Sequence, residues 1–172
     1  MGAKLLMDVA EYLRHDFDGP DREYLDGEVV ERNMGELPHG DLQLTVAYLL
    51  RQLRSTLGIR VVTEIRVQIT PSRFRVADIA VWRDDNIGTG IPTVSPFLVV
   101  EILSPEDRMG RMLTKINEYL SIGVEYVWVI DPQDKTATHF SRQNPSGADC
   151  DTLTTENPKI EIPLGAAFDL DA

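Results

Sequence analysis

The chain has one cysteine, Cys150, in 172 residues. That excludes an intramolecular disulfide and any zinc site built on cysteine pairs. Its three histidines, His15, His39 and His139, are scattered, without H-x-x-H or H-E-x-x-H spacing. No apolar run reaches the ~18 residues that would suggest a membrane helix. Leu5-Leu6-Met7 is followed at once by Asp8 and Glu11, too short an apolar stretch for a secretion signal. A cytoplasmic location with no membrane association is therefore expected. Repeats and low-complexity segments are absent. Bases are scarce: 17 against 28 acids leave a net charge of −11, which argues against a polyanionic partner.

The content that remains is that of an ordinary globular protein, with 42% hydrophobic and 26% charged residues. The charge is unevenly placed. Residues 1–31 carry nine acids and three bases, and residues 143–172 carry six acids and one base. Residues 32–142 are balanced at 13 of each, and 11 of those 13 bases are arginine, the side chain suited to bidentate contacts with phosphate or carboxylate.

Periodicity supplies the elements. Leu5, Leu6, Val9, Tyr12 and Leu13 predict an amphipathic helix over 4–15, ended by the turn residues Asp18 to Asp21. Tyr24 to Arg32 reads as a hairpin about Asp26-Gly27. Leu42, Val46, Leu49, Leu50, Leu53 and Leu57 line one face of a helix that Asp41 or a neighbour opens and Gly58 closes. Strands are expected at Ile59–Ile69 and Arg75–Trp82, divided at Pro71-Ser72, and at Phe97–Leu103. A helix over 106–121 and a buried strand at Tyr126–Ile130 follow. Thr136–Ser141 and Thr152–Ile162 read as outer strands of an antiparallel extension. The fold class is α/β or α+β: a curved mixed sheet flanked by helices. Trp82 and Trp128 belong to the core or to a dimer interface.

Two acids interrupt apolar strands, Asp78 in Val76-Ala77-Asp78-Ile79-Ala80-Val81 and Glu101 in Leu98-Val99-Val100-Glu101-Ile102-Leu103. A buried carboxylate must be paired, protonated or metal-bound. If the strands are neighbours, the two carboxylates meet and suit Mg²⁺; the alternative is that each pairs with an arginine or lies at an exposed strand end. Arg108, Arg111 and Lys115 share a face of the next helix, either facing an anion or acidic site or forming a solvated face balanced by Glu118. His39, after Pro38, is a candidate for phosphate contact or acid–base work, or a capping or packing histidine.

Together these residues resemble the PD-(D/E)XK nuclease superfamily, and more closely the Uma-two family of "putative restriction endonucleases". The resemblance runs from about Glu23 to Phe140. It is carried by Glu23-Tyr24-Leu25-Asp26-Gly27-Glu28, by His39 before a Leu-rich helix, and by the Asp78 strand. Val100-Glu101-Ile102-Leu103-Ser104-Pro105, Asp107, Lys115, Tyr119, Gly123-Val124 and Tyr126 to Pro132 complete it. Ala77 stands where the family usually has proline. Leu103 stands where the superfamily's lysine follows the glutamate, and Lys115 on the next helix takes that place.

The resemblance implies a restriction-endonuclease-like mixed central sheet flanked by helices, and a DNA endonuclease that is a homodimer. Residues 1–172 form one domain on this reading: an N-terminal helical arm (1–22), a nuclease-like core (23–142) and a C-terminal strand extension (143–172). Asp78 and Glu101 hold Mg²⁺ or Mn²⁺ with the Ile102 carbonyl, Lys115 orients water or stabilises developing charge, and Glu23 or Glu28 adds a ligand or positions water. Arg111 and Tyr119 are accessory, with Tyr119 bracing Lys115 or simply packing. The competing readings are a catalytically idle dimeric binding module and an unrelated metal hydrolase of small phosphate esters; clustered His and Asp ligands, expected of the latter, are absent.

Overall fold

A computed structural model describes residues 5–33, 35–83 and 87–169. The chain opens with a short strand, β1 (Leu5–Leu6), which pairs antiparallel with Glu28 and Val29. The helix read over 4–15 is corrected here: α1 spans only Val9–Arg14, and Lys4 lies outside the described residues. The reason is local. Asp8 is extended and its carboxylate accepts the Glu11 N–H at 2.9 Å, which makes it the N-cap and leaves Leu5 and Leu6 outside the helix.

β2 (Glu23–Leu25) and β3 (Glu28–Val30) form the expected hairpin. Its two turn residues, Asp26 and Gly27, both have positive φ (51° and 102°). That is the backbone of the turn that matches strand twist, and the reason for Asp-Gly. α2 (Leu37–Gln52) starts four residues before Asp41, with proline in its first turn. The one-turn α3 (Arg54–Leu57) follows Leu53, and Gly58 closes it in the left-handed conformation at φ 63°.

β4 (Ile59–Thr70) and β5 (Arg73–Arg83) make a long antiparallel hairpin, and β6 (Leu98–Ile102) lies antiparallel to β5. α4 (Met109–Ser121) then crosses over to β7 (Tyr126–Asp131), which is parallel to β6. This βαβ unit makes the sheet mixed. The expected start of α4 at 106 is moved to 109, because 105–108 form a turn before the Arg108 cap. β8 (Thr136–Ser141) and β9 (Ala148–Asp149) extend the sheet, whose order is β1-β3-β2-β5-β6-β7-β8-β9, with β4 also on β5.

The reading of Thr152–Ile162 as one outer strand of this sheet is corrected. β10 (Thr152–Glu156) and β11 (Lys159–Pro163) form a separate two-stranded hairpin, followed by α5 (Leu164–Phe168). Leu153, Ile160, Ile162 and Leu164 pack with Leu42, Val46 and Leu50 of α2 on one sheet face, against Ile79, Val81, Val100 and Trp128. α4 covers the other face: Met112, Ile116 and Tyr119 meet Ala80, Val99, Val127 and Trp82. With both faces covered, all five β6 residues are buried, as its apolar run implies. Trp82 and Trp128 are core residues, 2% and 0% exposed, with indole N–H groups donating to Val94 O and Thr154 O. Neither stands at a surface where an interface could use it.

One topological detail positions the site. β4 occupies one edge of β5 along its length, so β2 and β6 share the other. β2 pairs with residues 73–74 and β6 with residues 79–81. Between them the sheet forks, and residues 75–78 face the gap.

Candidate active site

The fork leaves backbone polar groups that no strand satisfies, and side chains take them. Val76 donates its N–H to Glu23 Oε1 at 3.3 Å and its carbonyl accepts from Lys115 Nζ at 2.8 Å. A buried backbone group must find such a partner, so the fork recruits charged side chains into an otherwise apolar sheet.

Asp78 stands at the mouth of the fork. The β5–β6 register pairs Ile79 with Val100, and one step further along the same ladder Asp78 faces Glu101. Directly opposed residues share a sheet face, so the two carboxylates point the same way. Both are 2% exposed. Asp78 Oδ2 accepts the Ile102 N–H at 2.8 Å and has His39 Nε2 at 3.4 Å, while Oδ1 accepts from Arg32. Glu101 Oε2 accepts from Lys115 Nζ at 2.7 Å and Oε1 from the Tyr119 hydroxyl at 2.9 Å.

Lys115 is itself buried, and its ammonium meets three acceptors: Glu101, the Val76 carbonyl and Glu23 Oε1 at 3.3 Å. Two of its three N–H groups donate, to Glu101 and to the Val76 carbonyl, and Glu23 is held as an ion pair. Tyr119, one turn further along α4, donates to Glu101 beside Lys115. It therefore braces the glutamate that Lys115 holds as well as packing in the core.

Behind this pair runs an alternating chain of charge. Asp26 pairs with Arg73, Arg73 and Arg75 both pair with Glu118, Arg75 Nη1 lies 2.6 Å from Glu23, and Glu23 reaches Lys115. Glu118 thus balances β5 arginines rather than the cationic face of its own helix, which corrects the sequence reading. On the other side of Asp78, Arg32 bridges to Glu64, and Gln43 holds Glu64 at 2.7 Å and the Asp78 carbonyl at 2.8 Å.

The charges set the protonation of the group. Burial pushes the Glu101 carboxyl up to about 7; nearby Asp78 adds to this, and Lys115 opposes it. Burial acts the same way on Asp78, but the His39 hydrogen bond and the charges of Lys115 and Arg32 outweigh it and hold Asp78 below the usual carboxylate range. Burial also works to lower Lys115, yet three carboxylates around it keep its pKa above the ordinary lysine value. Burial raises Glu23, but Lys115 and Arg75 overcome that and hold it low. Burial works to lower His39, but the hydrogen bonding and negative charge of Asp78, helped by Glu64, together outweigh it and raise its pKa.

These groups line a cleft of about 420 Å³. Glu23, Glu28, His39, Asp78, Glu101, Arg111 and Lys115 all border it, so the structure brings together every sequence-predicted site residue except Tyr119, which sits one layer beneath. His39 lies in the first turn of α2 rather than at its cap, which lets it reach Asp78. Arg108 and Arg111 are exposed at the cleft and carry no ion pair among the described residues. Asp107 ties the opposite lip, accepting from Asn33 and from the Ser104 N–H, both at 2.8 Å. Sequence reasoning missed Arg32, Arg75, Glu64 and Gln43. The arginine excess of the central segment was the one available signal, and it names no position.

Among the described residues, no group of three or more His, Cys, Asp and Glu is arranged to hold a metal by itself. None of the helices described is long and apolar enough to cross a membrane.

The sequence model of the family described as Uma2, "putative restriction endonuclease", matches residues 9–171. The chain belongs to the Uma2 family. In the solved structures, it is similar to a "putative nuclease belonging to DUF820" from Anabaena variabilis ATCC 29413. The TM-score is 0.78 at 20% identity, covering 94% of this chain and 97% of that one. At that identity the likeness speaks for the fold, a mixed α+β sheet of the kind this Uma2 chain was expected to have. No protein of curated function matches.

Proposed function

We propose that this Uma2 protein is a Mg²⁺- or Mn²⁺-dependent DNA endonuclease of the PD-(D/E)XK type, working as a homodimer so that two sites serve two strands. The observation that carries this is the opposition of Asp78 and Glu101 across neighbouring strands at a cleft, with Lys115 Nζ 2.7 Å from Glu101. Family membership supports the reaction class.

The donor set fits a hard divalent cation. A carboxylate offers about four acceptor sites; Asp78 uses three of its own and Glu101 two. Mg²⁺ is commonly held by one or two carboxylates, with water and substrate phosphate completing its shell, so a third protein carboxylate is not required. Bound there, the ion supplies charge to polarise the scissile phosphate and acidify the attacking water.

The remaining work belongs to the side chains. Lys115 and Tyr119 fix the two oxygens of Glu101, so its carboxylate is oriented before any ligand arrives. Lys115 also keeps a positive charge beside the carboxylates, where negative charge builds on phosphate in the transition state. His39 and the Ile102 N–H orient Asp78. Arg108 and Arg111, with no ion-pair partner among the described residues, are suited to the flanking phosphates, and Glu28 borders the cleft where it would position water.

A second reading rests on a specific observation: Arg32 and Lys115 already neutralise both carboxylates, so the ion-pair network is complete without metal. It corresponds to a catalytically idle module of the same fold. Incubation of plasmid DNA with Mg²⁺ or Mn²⁺ tests the first reading. Nicking or cutting is expected, and Asp78→Ala and Glu101→Ala each abolish it. Cleavage that persists in both variants rejects the site; no calorimetric Mn²⁺ binding together with no cleavage of any DNA points to the idle module.

A further inference from the structure

The outer face of α2 is a regular surface that the site does not use. Its exposed residues Leu37, Asp41, Leu44, Tyr48 and Arg51 recur at i, i+4, i+7, i+11 and i+14, and Ser55 of α3 continues the series at i+18. Steps of four and three keep these residues on one helix face, and three of the five on α2, Leu37, Leu44 and Tyr48, are apolar or aromatic where a solvated face would be polar. The apolar members are far from buried: Leu37 is 86% exposed, Leu44 67% and Tyr48 57%. The opposite face of the helix, with Leu42, Val46 and Leu50, already fills the core.

The stripe is complementary to itself. Leu44 and Tyr48 lie two positions either side of residue 46, Asp41 and Arg51 five positions either side, and Leu37 and Ser55 nine. Turning a second copy about a two-fold axis at that level sets Leu44 against Tyr48 and Asp41 against Arg51, twice each. Neither Asp41 nor Arg51 has an ion-pair partner among the described residues. The same operation brings the protruding Leu37 to the Ser55 level. There the surface is hollow: a depression of about 630 Å³ is lined by Tyr48, Arg51, Gln52, Arg54, Ser55 and Gly58. A knob at one end and a hollow at the other, exchanged by the two-fold, is the form of an isologous contact.

We infer that α2 is a homodimer surface, with a second copy of this chain packed antiparallel on the Leu37–Ser55 stripe. This names the interface of the homodimer in the nuclease reading, and its test is independent of catalysis. The helix is ~24 Å long, and one helix face falls short of the ~800 Å² per partner of a standard stable interface. The dimer is therefore expected to exchange with monomer at micromolar concentrations.

Sedimentation equilibrium of the full chain, from about 1 to 500 μM, measures this. Wild type is expected to show a monomer–dimer equilibrium in that range. Asp41→Arg makes the stripe doubly positive and Arg51→Asp makes it doubly negative, so each variant alone should dimerise at least tenfold more weakly. Mixed in equal amounts, the two should form a heterodimer at least as tight as wild type, because both ion pairs are then restored. The mixture also shows that both variants are folded. A wild-type protein monomeric throughout overturns the inference, as does a dimer indifferent to both reversals. Weakened variants that fail to recover on mixing show that the contact is not this two-fold one.

Discussion

Lys115→Met tests the core of the site without any assumption about substrate. The substitution keeps an unbranched side chain in the α4 packing but removes the cation from Glu101, Glu23 and the Val76 carbonyl. Glu23 keeps Arg75; Glu101 keeps only the Tyr119 hydroxyl. Removing one partner of a buried ion pair costs roughly 3–5 kcal/mol, but a buried carboxylate has an escape, which is to take up a proton. Glu101 already sits near pKa 7 in the folded protein, against an ordinary value of 4.5. A carboxyl raised on folding binds more protons in the native state, so its contribution is favourable at low pH and is lost as pH rises through the folded pKa. Without Lys115 that pKa moves higher still. At pH 5 Glu101 is protonated in the variant, and the loss reduces to the orphaned Val76 carbonyl and one hydrogen bond, about 1–2 kcal/mol. At pH 8.5 the full 3–5 kcal/mol is due, a fall in Tm of about 10 °C for a chain of this size. Thermal unfolding at both pH values, with Lys115→Met/Glu101→Gln as the double mutant, checks the reasoning. The double mutant should regain most of the loss at pH 8.5, since a neutral pair leaves no unpaired charge. A loss that does not change with pH, or a double mutant no more stable than Lys115→Met at pH 8.5, refutes it.

Three further outcomes are expected. At the proposed site Mn²⁺ would have to displace the proton on Glu101 and compete with Arg32 for Asp78, so affinity should rise with pH up to about 7 and level off above it. Arg32→Ala should bind Mn²⁺ on the order of tenfold tighter, since removing a competing cation favours the bound ion; calorimetry that shows equal or weaker binding contradicts the competition. Glu23 is held below its ordinary value by Lys115 and Arg75 despite its burial, so its stabilising effect exists above pH ~4.5 and fades as pH falls through the folded pKa. Glu23→Gln should therefore cost on the order of 2 kcal/mol at pH 6, and denaturant unfolding should show the gap to wild type closing toward pH 3; a gap that widens in acid reverses the assigned sign.

Much of the architecture was legible because it is written in local periods. The Asp-Gly hairpin, the α2 stripe, β5, β6, α4 and β8 were found within a few residues of their observed limits. Misreadings occurred where a polar side chain or a non-local pairing decided the boundary. Asp8 caps α1 and gives Leu5 and Leu6 to a strand; Pro38 starts α2 a turn early; the 105–108 turn delays α4. The 152–162 run contains a reversal at Asn157 and Pro158, and its separation from the main sheet is a matter of packing that no period records.

The sequence by itself determined which residues were out of place. Two carboxylates inside apolar strands and a lysine sharing a helix face with two arginines are local facts, as is the acidity of the ends around a balanced middle. Only the tertiary structure decided what these residues do to one another. The β5–β6 register opposes Asp78 and Glu101, and the fork between β2 and β6 draws Glu23 and Lys115 inward. The turn of α4 buries Lys115 while leaving Arg108 and Arg111 in solvent. Arg32, 46 positions from Asp78, is its partner only in three dimensions. Strand alternation and helix pitch repeat within a few residues, so sequence carries them. Register, fork and ion-pair partner join segments far apart in the chain, and the energy that selects them arises when the sheet closes over buried charge.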